Sequence, residues 1–367
     1  MPLKPRKAVS NLGKGIHGGF DQVELETLGM GPDEIIDFSV CTNPAGMPPG
    51  ILRQVTARDL SRYPDSRSTL LRREIARING VSENNVLVCS GSTEIIRLAM
   101  TAYLGEKDRI LLVEPTYGEY RLSCEIAGAE VNTFLTSAED DFRPDIDALA
   151  DRIMTEKPKM IFLCNPNNPT GYYLKRDEFD RILSTVSESL VVLDEAYISF
   201  VNRAWSSTEY IEKKNLLILR SMTKDYALAG LRLGYAIAGE EAISVLSRVC
   251  PPWNVNVIAQ RAGITALQSK EYLEKSRKLV FREKNYLVTN LGKLGFVCVP
   301  SDANYFLVKV NNAAEFRKRL LINNKTLVRD CTSFGLPQYI RIAPRSHNQN
   351  RKLIAAIEEF VNDKQRK

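Results

Sequence analysis

A chain of 367 residues is too long for one small core, so two closely packed lobes are expected. Apolar residues make up 44% and charged residues 26%, as in an ordinary globular protein, and the formal charge of +6 clusters only in KPRK and KQRK near the ends, so no nucleic-acid surface with interleaved aromatics is present. Seven scattered cysteines without a CxxC pair argue against zinc and a disulfide framework; with no signal-like N-terminus and no membrane-length apolar stretch, a cytoplasmic protein is expected.

In chain order, NNVLVCSG (84–91) precedes a helical TEIIRLAMTAYL, and DRILLVEP (108–115) precedes a helix around YGEYRLSCEIAG. EVNTFLT, a helical DIDALADRIM, KMIFLCNP (159–166), a helical KRDEFDRILSTV, LVVLDEAY (190–197), NLLILRSM (215–222) and GYAIAG (234–239) follow. Near-continuous apolar strands alternating with amphipathic helices predict an α/β domain with a mostly parallel sheet. From about residue 240 the pattern changes to long helices, one of them running from IAQRAG to YLVTNL. Short strands in FVCVP, NYFLVKV, TLVRDC and YIRIAPR then predict a smaller α+β lobe.

In parallel sheets, functional groups gather at the carboxyl ends of strands. Ser90-Gly91-Ser92, Pro115-Thr116-Tyr117, Asn165 to Gly171, Asp194 to Tyr197 and Ser221 to Lys224 all stand at such ends. A desolvated lysine such as Lys224 is able to form a Schiff base. A carboxylate ending a buried run, as Asp194 does, needs a cationic partner. Ser90, Ser92, Thr93, Ser221 and Arg232 suit a phosphate, with Gly91 permitting close backbone approach and a helix starting at Thr93; Tyr117 suits a stacked aromatic ring. Taken singly, SGST reads as a helix cap, NPNNPTG as turn chemistry and DEAY as an acidic strand end without any phosphate loop. Together they match what pyridoxal phosphate requires: an aldehyde partner, a protonated ring nitrogen, a phosphate and a ring face.

NPNNPTG (165–171), DEAY (194–197) and SMTKDYALAGLRLGY (221–235) resemble the motifs of the fold-type I pyridoxal-phosphate aminotransferases. The resemblance implies a large domain with a mostly parallel sheet between helices and a small α+β domain. It further implies an N-terminal segment (1–45) joined to the small domain, a cofactor domain (46–285) and a C-terminal domain (286–367). By the same resemblance Lys224 is the Schiff-base lysine, Asp194 pairs with the pyridine nitrogen, and Asn168 and Tyr197 bond the ring hydroxyl oxygen. Tyr117 stacks on the ring, and Ser92, Thr93, Ser221, Thr223 and Arg232 hold the phosphate. RYPDS (62–66) resembles a segment whose tyrosine, here Tyr63, reaches the partner's cofactor, which implies a homodimer with shared sites.

Two branches of that superfamily look nearest, and both act on phosphorylated amines: histidinol-phosphate aminotransferase and threonine-phosphate decarboxylase of cobalamin synthesis. HGGF (17–20), IIDFSVCTNPAGMP (35–48), CPPWNVN (250–256) and TLVRDCTSFGL (326–336) resemble the decarboxylase. The expectation is therefore decarboxylation of threonine O-phosphate, with serine phosphate as a variant substrate. Transamination of histidinol phosphate with 2-oxoglutarate is the alternative, and a non-enzymatic regulator a remote one. In the decarboxylase branch His17, with the Gly18 amide, and Arg329 grip the substrate phosphate, and Arg341 pairs with the α-carboxylate. Three positions depart from the pattern: Cys41 replaces an asparagine, HGGN becomes HGGF, and PGL shortens to GL.

Overall fold

Read from the sequence as near-continuous apolar runs, the central strands form one seven-stranded sheet in the computed structural model, which describes residues 3–365 apart from 11, 14, 52–55 and 213–214. In chain order the strands are β1 (Ile36–Asp37), β2 (Val86–Cys89), β3 (Arg109–Glu114), β4 (Glu130–Leu135), β5 (Met160–Cys164) and β6 (Leu190–Asp194). They continue with β7 (Leu216–Ser221), β8 (Gly234–Ala238), β9 (Phe306–Lys309), β10 (Thr326–Leu327), β11 (Arg329–Asp330) and β12 (Tyr339–Ile342). The large sheet has the order β2-β8-β7-β6-β5-β3-β4, and β8 alone runs antiparallel to its neighbours.

Side chains on a strand alternate between faces, and here both faces are dry. Ile161, Leu163, Val191, Leu193, Leu216 and Ile218 pack under the helices Thr69–Asn79, Ile146–Glu156, Arg176–Thr185 and Val257–Gln268. Met160, Phe162, Leu190, Val192, Leu217 and Leu219 pack under Ser92–Tyr103, Glu119–Ala127 and Glu240–Val249. That two-sided burial is why the strands read as unbroken apolar runs rather than alternating ones.

A smaller antiparallel sheet, β11-β12-β9, forms a second core around Phe306, Ile340, Phe316 and Leu353. The N-terminal segment contributes Phe38 to that core, pairs β1 with β10 in parallel, and packs Leu25 on Leu321 and Leu327. Two details differ from the sequence reading. The long helix expected from IAQRAG onward is two helices, Val257–Gln268 and Lys270–Lys293, broken at Ser269, whose φ −81° and ψ 64° are not helical. FVCVP forms only an isolated bridge, Cys298 to Val308, with Val297 65% exposed, so it is a ragged edge and not a strand. Among the described residues no helix is long and apolar enough to cross a membrane.

The register of β8 decides what meets at the sheet's rim. Gly234 pairs with Cys89 on one side and with Ser221 on the other, so the strand begins where β2 and β7 end. A Cβ at Gly234 would stand 2.8 Å from the Ser92 nitrogen, 2.9 Å from the Gly91 carbonyl carbon and 3.0 Å from the Arg220 oxygen, all backbone atoms without freedom to move aside. Gly234→Ala is therefore expected to destabilise the protein by about 1–3 kcal/mol through overpacking. A melting temperature equal to the parent's would show that the three segments are not in this close contact.

Candidate active site

Five strand ends and one strand start of the large sheet converge on a cavity of about 430 Å³. Its lining includes Thr93, Tyr117, Asn168, Tyr197, Lys224 and Arg232 from the large sheet's rim, Arg329 and Arg341 from the small sheet, and His17, Gly18 and Cys41 from the N-terminal segment. Most of the residues singled out in the sequence thus share one space. Asp194, Ser221 and Thr223 lie beneath it, each at most 5% exposed. Tyr63 lies outside it, 79% exposed and stacked on Trp253 with ring centroids 4.5 Å apart.

Asp194 ends β6, between Cys164 of β5 and Leu219 of β7. The Tyr120 hydroxyl donates to its Oδ2 at 2.8 Å and the Ala196 amide to its Oδ1 at 2.9 Å. None of the salt bridges among the described residues reaches it, and burial pushes its pKa up to about 6 despite the Tyr120 bond. A buried carboxylate without a counter-cation is costly, so the position calls for a cationic partner.

Lys224 sits in the short helix Met222–Asp225 that follows β7, capped by the Ser221 hydroxyl accepting from the Thr223 amide. Its own carbonyl accepts from the Asn43 amide at 2.9 Å, tying it to the N-terminal segment. Burial lowers the Lys224 pKa; the cations Arg341 and Arg232 add to this and Cys41 opposes it. The neutral amine that imine formation needs is favoured accordingly.

Beside Lys224, the turn before helix Ser92–Tyr103 makes a cradle. Gly91 has φ +84°, and a Cβ on it would lie 2.9 Å from the Arg232 guanidinium. Arg232 itself is left-handed at φ +55°, a conformation that costs a non-glycine residue about 1–3 kcal/mol and clusters at ligand clamps. Its Nη1 donates to the Ala229 carbonyl at 3.2 Å. Free amides at a helix start together with a guanidinium suit a phosphate. Tyr117 stands over this region, its hydroxyl 3.4 Å from Thr93 Oγ1 and its ring edge-on to Tyr120.

The far wall is cationic. Arg341, 5% exposed, donates to the Asn168 side-chain oxygen and to the Ser39 carbonyl at 2.8 Å, and its Nε is buried with no partner. Arg329, 6% exposed, donates to the carbonyls of Ile16 at 2.7 Å and His17 at 3.0 Å and to Ser333 Oγ at 2.7 Å. The two are cross-strand partners in the β11–β12 register. His17 Nε2 lies 3.1 Å from Glu119 Oε1. Cys41 is fully buried against Tyr197, Tyr305 and Ala303.

Sequence reasoning missed several groups that shape the site. Tyr120 and Glu119 follow Tyr117 closely, but nothing in the helical pattern tells which polar side chain turns toward the strand ends. Ser39 accepts from Arg341 and from the Gly19 amide, and Tyr305 donates from its hydroxyl to the Asn167 carbonyl at 3.0 Å. The Asp194 carboxylate without an ion-pair partner among the described residues, the Gly91–Arg232 cradle and the orphaned Arg341 Nε together fit pyridoxal phosphate.

Residues 34–357 match the family model "Aminotransferase class I and II". The chain is 34% identical to a histidinol-phosphate aminotransferase of Methanococcus aeolicus over 341 residues, 90% of this chain and 91% of the relative. Further relatives of that description, 31–35% identical, span 82–98% of the chain. Among solved structures, histidinol-phosphate aminotransferase from Sinorhizobium meliloti in complex with pyridoxal-5'-phosphate aligns with a TM-score of 0.89 over 99% of both chains, at 20% identity and so as a likeness of fold. L-threonine-O-3-phosphate decarboxylase from Porphyromonas gingivalis aligns with a TM-score of 0.78 and 29% identity, over 89% of this chain and 99% of that one.

These relatives correct the expectation of threonine-phosphate decarboxylation, because the full-length sequence likeness runs to aminotransferases. The segments behind that expectation serve structural ends that either chemistry would need. Asn254 of CPPWNVN donates to Glu94 at 2.7 Å, and Arg329 of TLVRDC holds the backbone carbonyls of Ile16 and His17. With its fold, its rim of strand-end residues and its matched family in view, the chain belongs to the class I and II aminotransferases, and its cofactor is pyridoxal 5'-phosphate.

Proposed function

We propose that the protein is an aminotransferase that takes the amino group of a phosphorylated amine, histidinol phosphate, and passes it to 2-oxoglutarate. The observation that carries the reading is the pair of buried arginines, Arg329 and Arg341, directly opposite each other on β11 and β12. Like charges at such positions destabilise a sheet, and burial makes the repulsion worse, so an anion between them is strongly favoured. A phosphate dianion suits Arg329, and the two carboxylates of 2-oxoglutarate suit the pair, so both co-substrates find counter-charges on one wall.

On this reading Lys224 carries the cofactor and moves the proton at the substrate Cα. Asp194 and Tyr120 face the ring nitrogen; Asn168 and Tyr197 face the ring hydroxyl; Tyr117 covers the ring; Ser92, Thr93, Ser221, Thr223 and Arg232 hold the phosphate. His17, Gly18 and Cys41 border the substrate. When bound, the cofactor supplies the electron-withdrawing ring that makes exchange of an amine for a ketone feasible. Burial lowers the Lys224 pKa, which favours its neutral amine, and leaves the Asp194 carboxylate in want of a cation, a charge pattern suited to proton transfer at Cα. The division into an N-terminal segment (1–45), a cofactor domain (46–285) and a small domain (286–367) belongs to the same proposal; its second boundary falls within the helix Lys270–Lys293.

The deciding assay supplies histidinol phosphate and 2-oxoglutarate to the holoenzyme and measures glutamate. Stoichiometric glutamate supports the reading, and none under any amine-donor concentration overturns it. Arg329→Ala should raise KM for histidinol phosphate by roughly 10- to 100-fold, the value of a charge-assisted bond of about 1.5–3 kcal/mol. An equal loss with an unphosphorylated amine would mean that Arg329 does not read the phosphate.

Asp194 predicts a pH effect. Its folded pKa of about 6 lies above the ordinary 3.8, so the cofactor-free protein loses stability as pH rises from about 4 to about 6, where only the unfolded chain ionises. A cationic ring nitrogen removes that penalty. The gap between holo and cofactor-free melting temperatures should therefore widen across this window, and Asp194→Asn should abolish the widening. A gap independent of pH in the parent protein would refute the assignment.

Assembly is the last part of the proposal: a homodimer in which Tyr63, exposed here beside Trp253, completes the partner's site. Light scattering of the holoenzyme should give twice the chain mass, and Tyr63→Phe should raise the cofactor's dissociation constant. A fully active monomer would rule the shared site out.

A further inference from the structure

Residues 15–19 run across the mouth of the cavity, and what fastens them is unequal on its two sides. On the small-lobe side the fastening is dense: Arg329 holds the carbonyls of Ile16 and His17, Ser39 Oγ accepts from the Gly19 amide at 2.8 Å, and Gly18 packs so closely that a Cβ would lie 2.7 Å from the Ser39 carbonyl oxygen. On the large-sheet side the polar contact is Glu119, the first residue of helix Glu119–Ala127, whose Oε1 lies 3.1 Å from His17 Nε2, with the Tyr117 ring beside the imidazole at a centroid distance of 5.9 Å. The segment comes so near there that a Cβ on Gly15 would stand 3.0 Å from the same oxygen. Farther along the same helix, Arg6 donates to the Ile126 carbonyl at 2.6 Å, outside the cavity's lining.

Glu119 is also out of place electrostatically. It is 5% exposed and is the carboxylate in a cavity lining whose other Lys, Arg, Asp or Glu side chains, among the described residues, are all cations: Arg97, Lys224, Arg232, Arg329 and Arg341. A carboxylate beside an anion-binding space weakens binding unless it is neutralised. Arg97 Nη2, 3.4 Å from Oε2, supplies that neutralisation, His17 Nε2 shares a hydrogen bond with Oε1, and the helix start makes a negative charge tolerable there.

We propose that Glu119 is a positioning residue: through His17 it latches the 15–19 segment to the large sheet's rim, closing the cavity over the phosphate end of the substrate. This rests on the reading of the site as one for a phosphorylated amine. Glu119 takes no proton and touches no reacting atom in this role. It keeps the imidazole turned inward and the mouth shut, so its removal is felt in substrate retention and not in the exchange of the amino group.

The test uses the holoenzyme and the variants Glu119→Gln, His17→Gln and the double variant. Glu119→Gln should raise KM for histidinol phosphate about tenfold, the scale of one charge-assisted contact, and change kcat less than about twofold. His17→Gln should do the same, and the double variant should be no worse than either, because all three break one contact. Losses that add in the double variant, or a fall in kcat matching the rise in KM, would overturn the latch. A second arm needs no substrate: hydrogen exchange of the peptide covering residues 15–20 should quicken at least about fivefold in Glu119→Gln, with exchange in β6 and β7 unchanged. Unchanged exchange in 15–20 overturns the latch even if the enzyme proves to use another amine. If the parent enzyme turns over no histidinol phosphate while exchange quickens as stated, the substrate reading falls and the latch stands.

Discussion

Everything about the site follows from one buried negative charge. Asp194 ends a strand whose other residues are wholly apolar, and it is held by a tyrosine hydroxyl and one amide, with no ion-pair partner among the described residues. Such a group is tolerable in a core only if something positive arrives, and the fold is arranged so that the arriving ring also meets an amine, a phosphate cradle and a stacking face. The cradle in turn depends on β8 running against its neighbours: an antiparallel strand brings its first residue, and the arginine two positions before it, to the rim where parallel strands end. A parallel strand in that place would have sent Arg232 to the opposite edge of the sheet.

The large sheet was legible because burial on both faces leaves an unmistakable mark: apolar runs that stop abruptly at polar residues. Lys224, Asp194, Tyr117 and the serine-glycine turn could be picked out because each stands where such a run stops. Glu119 and Tyr120 could not, since a helix that is polar on part of its surface does not announce which side faces a cavity. The fastening of the N-terminal segment was equally hidden. Arg329 and the carbonyls it binds are more than 300 positions apart, and backbone acceptors carry no side-chain signature. The break at Ser269 was missed because the residues on both sides are good helix formers; there the Ser269 hydroxyl donates back to the Thr265 carbonyl.

Resemblance misled where residue identity was read as chemistry. Segments such as CPPWNVN and TLVRDC answer first to the need to orient Glu94 and to hold a crossing segment of backbone, needs common to enzymes that break different bonds at the same carbon. Which bond breaks depends on the torsion of the bound substrate, a property of how the anion wall and the ring are disposed toward each other. Motifs that build the wall report the presence of an anion and stay silent on the bond.

The loop Asn165–Gly171 and the small lobe are joined more intimately than two modules usually are. Asp302 donates its amide to the Gly171 carbonyl, Tyr305 reaches Asn167, and a Cβ on Gly171 would collide with Ser301. The small lobe is consequently not an interchangeable attachment. A chimera that replaced it with the equivalent lobe of another enzyme would have to import Ser301 to Tyr305 and the Asn165–Gly171 loop as one block, because each is cut to the shape of the other. Evolution within such a scaffold is steered the same way: substitutions in the loop and in the lobe are expected to drift in pairs, so that specificity changes by coordinated steps across the seam instead of by exchange of whole parts.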